Sequence, residues 1–202
     1  MMAVYSWFIA RVRVGSEENV RQRCLDYLKL TADNMIQDCY VFRYEEQRRI
    51  RGEWTKQEKV LFPGYVFIVV DLSENAKKKR LSDTVEIEQM PGNMKPEKLK
   101  EMEQEICRIK GVIELLKRDG KPAVLNEEEV QLLRMFDDRG QRVEMSEGVI
   151  ERSKIKVYSG PLVGKEKYIR KIDRHKRRAF LEMPIFGETK RVQVGLEIVS
   201  KN

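Results

Sequence analysis

One histidine in 202 residues leaves few places for chemistry. His175 stands in the run DRHKRRA, where a basic surface loop accounts for it and no cysteine or second histidine completes a metal or catalytic set. Cys24, Cys39 and Cys107 lack CxxC spacing and read as reduced thiols packed as small apolar groups. A phosphate-binding loop, a nucleophile elbow and a paired acidic motif are missing. The expectation is therefore a protein without catalytic residues, metal ligands or cofactor. What remains is charge. Eight cations, Lys165, Lys167, Arg170, Lys171, Arg174, Lys176, Arg177 and Arg178, crowd one stretch with only Glu166 and Asp173 among them. Such a cluster either keeps a small domain solvated or binds a phosphate backbone, and RNA is the better fit.

The charge is unevenly placed. From residue 151 onward there are 14 Lys and Arg against 6 Asp and Glu, while the first 150 residues hold 26 against 27. A polyanion-binding module joined to a near-neutral one explains that asymmetry. A smaller cluster, Arg43, Arg48, Arg49 and Arg51, alternates with Glu45, Glu46 and Glu53. It reads as an exposed hairpin and a second candidate for nucleic-acid contact. With 36% charged residues and no long apolar run, no membrane partner is expected, and the cysteine usage fits the cytoplasm. The opening MMAVYSWFIARVRV alternates like a strand and lacks the features of a signal peptide.

These groups need elements to position them. Tyr5, Trp7, Ile9, Arg11 and Arg13 share one face of the first strand, and Phe8, Ala10 and Val12 the other. Gly15 ends it, and Ser16 can cap a helix with Val20, Cys24, Tyr27 and Leu28 on one stripe. DCYVFRYEEQRRI and WTKQEKVLF read as a hairpin turning at Gly52. The run VLFPGYVFIVVDL follows, and its strand does not alternate, so both faces need cover. Residues 73–96 show no period and read as an insertion holding the basic cluster at 77–80. A helix is expected over 97–109 from Leu99, Met102, Ile106 and Ile109, then a short strand with its turn in GVIELLKRDGKP. Asn126 with Glu129 has capping-box spacing. Residues 138–150 read as a linker, and after Lys154 four or five short strands suggest a small barrel.

Both halves resemble the NusG transcription elongation factors. WFIARVRVGSEENV is similar to the Trp-aromatic strand, turn and helix that open that family's N-terminal (NGN) domain, and LFPGYVFIVV to its Phe-Pro-Gly-Tyr motif. The C-terminal run IKVYSGPLVGKEKYIRKIDRHKRRAFLEMPIFGETKRVQV resembles a KOW domain through its Gly-Pro turn, its Asp before the next turn and its Phe-Gly-x-x-Thr. Lys167 stands where KOW domains usually have glycine, and Arg170 and Lys171 where housekeeping members are often acidic. Those departures resemble a specialised paralog of the LoaP type, which acts on particular operons by engaging an RNA hairpin.

The resemblance implies an α+β protein: an NGN-like domain over 1–137 with a mixed or antiparallel sheet, a linker over 138–150, and a five-stranded SH3-like KOW barrel over 151–202. It implies a non-enzymatic antitermination factor, monomeric, riding on the clamp helices of RNA polymerase and suppressing pausing or termination. Trp7, Ile9, Phe62, Tyr65 and Phe67 are then the polymerase-facing patch, the alternative being core under another helix. Nascent RNA, a hairpin among its forms, is the partner of the basic KOW domain, and a ribosomal protein or another elongation factor is a further partner the family allows. Some members, such as RfaH, hold this domain as a helical hairpin. Gly160-Pro161, Pro184 and Gly187 favour strands here. The rival reading is a ribosome-associated RNA-binding protein, since KOW modules also occur in ribosomal proteins.

Overall fold

The computed structural model describes residues 5–30, 35–71, 96–136 and 142–201. The insertion expected over 73–96, with its basic cluster, lies outside them except for Pro96. Two compact units result, Met1–Val41 with Pro63–Val130, and Phe42–Phe62 with Gln131–Asn202. In chain order the elements begin β1 (Tyr5–Val12), α1 (Glu17–Leu30), β2 (Ile36–Tyr40), β3 (Arg43–Ile50), β4 (Glu53–Val60), β5 (Tyr65–Asp71) and α2 (Pro96–Cys107). They continue with β6 (Val112–Leu115), β7 (Lys117–Arg118), β8 (Lys121–Pro122), α3 (Glu127–Phe136), β9 (Arg142–Val143) and β10 (Ser146–Glu151). The last four strands are β11 (Lys154–Ser159), β12 (Ile169–Asp173), β13 (Arg178–Ile185) and β14 (Glu188–Lys201).

In the first unit an antiparallel sheet runs β2-β5-β1-β6. β5 is interior, paired to β1 with Ile9 opposite Phe67 and Trp7 opposite Val69. That position explains its unbroken apolar run, because Val66 through Asp71 are all buried. α1 covers one face. Its Val20 and Cys24 are fully buried, and Arg21 Nε donates to Cys39 O at 3.1 Å. Alternation puts Cys39 beside Ile68 and Phe8, so this is the face opposite Trp7.

The Pro63-Gly64 turn that launches β5 is held from outside the strand. Glu17 is buried, and its carboxylate accepts from Gly15 N at 2.8 Å and Gly64 N at 2.7 Å. Gly64 has φ +85, a left-handed conformation that favours glycine, and an added Cβ would also lie a tight 3.3 Å from Val14 Cγ2. The Ser16 carbonyl begins the helix by accepting from Val20 N, but its hydroxyl turns back to Arg13 O instead of capping. At α3 the expected capping box is complete: Glu129 N donates to Asn126 Oδ1 and Asn126 N to Glu129 Oε2, both at 2.9 Å.

The second unit holds two sheets, β4-β3-β9 and β11-β10-β14-β13-β12. The β3–β4 hairpin turns at Arg51 (φ 50) and Gly52 (φ 92), the left-handed pair a two-residue hairpin prefers. β14 is long because it serves two neighbours. Its first part pairs antiparallel with β13, and from Leu196 onward it runs parallel to β10. That partner change curls the five-stranded sheet around Leu181, Met183, Val192, Val194 and Leu196. No part of the C-terminal run forms an α-helix. The stretch expected as a linker instead supplies β9 and β10, so the C-terminal sheet begins at Ser146 rather than after residue 150.

Candidate nucleic-acid interface

β3 turns the residues of its first half inward and leaves Arg48 and Arg49 exposed. Tyr44, Glu45 and Glu46 are buried, and Glu46 is fully so. The Glu46 carboxylate lies 2.7 Å from Lys59 Nζ and 3.2 Å from Arg178 Nη2. It also accepts from Gln193 Nε2 at 3.1 Å, and the same amide donates to Tyr44 Oη at 2.7 Å. β3 runs close enough to β14 that a Cβ on Gly195 would lie 2.5 Å from Glu45 O. Hairpin and C-terminal sheet are thus joined through a buried ion network.

This geometry sorts the eight expected RNA-binding cations. Lys165 is buried and donates to Pro161 O at 2.5 Å, so it faces the fold. Arg177 hydrogen-bonds Gln47, pairs with Glu197 at 3.0 Å, and lies 4.1 Å over the Trp54 ring. Arg178 serves Glu46. All three were expected at the surface, and they turn inward because carboxylates and carbonyls distant in sequence meet them in the fold. Lys167, Arg170, Lys171, Arg174 and Lys176 are exposed. Of these, Arg170 pairs with Glu182 at 2.9 Å, and this contact, with Arg191 behind it, holds the Glu182 carboxyl below its usual range. Lys176 reaches Asp173 only at 4.0 Å. Such exposed pairs are weak and leave the cations usable.

The residues expected to face polymerase differ in where the fold puts them. Trp7, Ile9, Tyr65 and Phe67 do share one side of the first sheet, where Trp7 stacks on Tyr40 at 5.1 Å. Yet Trp7, Ile9 and Phe67 are buried, and only Tyr65 is half-buried. Phe62 belongs to the second unit, packed against Phe42 and Phe186 at 6.3 and 6.0 Å. Among the described residues no cluster of His, Cys, Asp or Glu could hold a metal ion, and no helix is long and apolar enough to cross a membrane. Cys24 and Cys39 are buried, whereas Cys107 is exposed.

A family model described as transcription termination factor nusG matches residues 5–134, well over half of the chain. The chain belongs to the NusG family. A solved structure of Thermotoga maritima NusG, concerned with domain interaction in that protein, is similar in fold, with a TM-score of 0.50 at 16% identity. The likeness covers 95% of this chain and 93% of that one. A comparison with curated proteins gave no match. Membership makes this NusG-family chain a transcription elongation and termination factor, of a kind that interacts with RNA polymerase and is generally non-enzymatic.

The ion network of this NusG-family protein has a signature in alkali. Burial, with the Glu46 carboxylate adding to it, pushes the Tyr44 phenol up to about 12 from its ordinary 10.0. The folded state therefore holds this proton more tightly than the unfolded chain. Its contribution is complete below pH 10 and is lost as pH rises through 12. Denaturant unfolding of wild type and Tyr44→Phe should show the stability difference shrinking by about 2 kcal/mol across that window. Parallel curves would contradict the assignment.

Proposed function

We propose that this chain is a processive regulator that docks on the clamp helices of RNA polymerase through its first unit. Its second unit holds nascent RNA, a hairpin being the favoured form. The effect is to suppress pausing or termination on particular operons, in the manner of LoaP-type factors. It acts in the cytoplasm as a monomer and performs no chemistry. Binding biases the polymerase toward its elongating conformation, a shift limited by the difference in affinity for the two states. The observation that carries the RNA half is the localised charge: Lys167, Arg170, Lys171, Arg174 and Lys176 stay exposed on the unit that holds the whole basic excess. The polymerase half rests on family membership and on the apolar sheet face whose accessible member is Tyr65.

Purification of the tagged full chain tests this reading. Polymerase subunits should accompany it, and the yield should survive nuclease treatment. Ribosomal subunits in place of polymerase would favour the ribosome-associated reading and overturn this one.

A further inference from the structure

Within the second unit, the β3–β4 hairpin and the β12–β13 turn enclose a groove of about 350 Å³. Among the described residues its lining includes Arg48, Arg49, Trp54, His175, Lys176 and Arg178, and no carboxylate. Arg48 has no ion pair among the described residues, and Arg49 donates only to the Gly52 carbonyl, at 3.1 Å. Arg178 keeps its buried Nε without a hydrogen-bond partner, although its other end is bound to Glu46. Trp54 is 37% exposed at this wall, with the Arg177 guanidinium stacked 4.1 Å over its ring. Two segments far apart in sequence thus converge their cations beside a supported aromatic ring.

We infer that this groove is a composite site for an unpaired nucleotide of RNA, with a base against Trp54 and the flanking phosphates on Arg48, Arg49 and Lys176. The inference deepens the RNA-binding reading above and rests on it. Phosphates supply counter-charges for Arg48 and Arg49, with Lys176 held only loosely by Asp173 at 4.0 Å, and an exposed indole is the platform on which an unstacked base settles. A duplex offers no free base face, and the volume is near the lower limit for sites that enclose one small ligand, so loop or bulge nucleotides fit and a stem does not. Arg177 holds the indole through a cation–π contact, which makes the platform rigid before RNA arrives.

The test uses the full chain, a stem–loop RNA with an unpaired loop, and the same stem closed as a blunt duplex. Trp54→Ala should weaken stem–loop binding about tenfold to a hundredfold and change duplex binding little, while Trp54→Phe restores most of it. Arg48→Ala with Arg49→Ala should flatten the log–log salt slope for the stem–loop by about 1.4. Circular dichroism and a thermal melt confirm that each variant is folded. Lys167→Ala with Lys171→Ala, away from the groove, should have the smaller effect. If only that outer pair lowers affinity, the groove assignment is overturned and RNA binding by the second unit stands. If the wild-type chain binds neither RNA at any salt concentration, the RNA reading falls and the groove with it.

Discussion

Replacing Glu46 by alanine should destabilise the second unit by about 3–5 kcal/mol. This carboxylate is fully buried and is the meeting point of Lys59, Arg178, Gln193 and Tyr44, the last at 3.4 Å. Removing it strands Arg178, whose side chain is only 18% exposed, beside donors with nothing to bond. A buried pair is costly to break from one side and much less costly to replace whole. The double variant Glu46→Leu with Arg178→Met should accordingly lie closer to wild type than Glu46→Ala does. Urea denaturation of the three proteins decides the matter. A loss below about 1 kcal/mol for Glu46→Ala would mean that the network is not what joins hairpin and sheet.

Phe67→Ala should cost a comparable amount, about 3–5 kcal/mol, and the loss should appear as stability. The residue has no exposed surface and sits opposite Ile9 in the middle of the first sheet. Tyr65 is different: it is half-buried at the start of β5, opposite Arg11, whose guanidinium pairs with Glu114 at the surface. Tyr65→Ala should leave the melting profile near wild type and weaken polymerase binding by about 2 kcal/mol, roughly thirtyfold. Affinity measured on folded protein separates the two variants. Full affinity in Tyr65→Ala would remove this residue from the docking face.

Much of the fold was legible because it is written in local signals. The Arg51-Gly52 turn, the Asn126–Glu129 capping box and the alternation of Ala179, Leu181, Met183 and Ile185 each involve neighbours a few residues apart. β10 escaped because its inward positions are Ser146 and Gly148, which carry no hydrophobic signal. Ser146 is buried through a hydrogen bond from Leu162 N at 3.1 Å, and a Cβ on Gly148 would lie 2.8 Å from Lys156 O. The site was harder to read. Counting charge locates a basic segment but cannot tell which cations have partners, and Gln47 is 130 residues from the Arg177 it meets. In the same way, Glu46 reads as one more solvated charge in an alternating hairpin until β14 and β13 arrive beside it. The exposed Arg48, Arg49 and Trp54 were visible only as part of that hairpin, because the turn carrying His175 and Lys176 completes the groove from far along the chain.

The most direct measurement is the lifetime of paused elongation complexes assembled from the cognate RNA polymerase, with purified full chain added at increasing concentration. A factor that favours the elongating conformation should shorten the pause in a saturable way and raise read-through at terminators of its target operon, and Tyr65→Ala should require more protein for the same effect. Unchanged pause lifetimes and unchanged read-through, at concentrations where the chain is shown to occupy the polymerase, would contradict the proposed function.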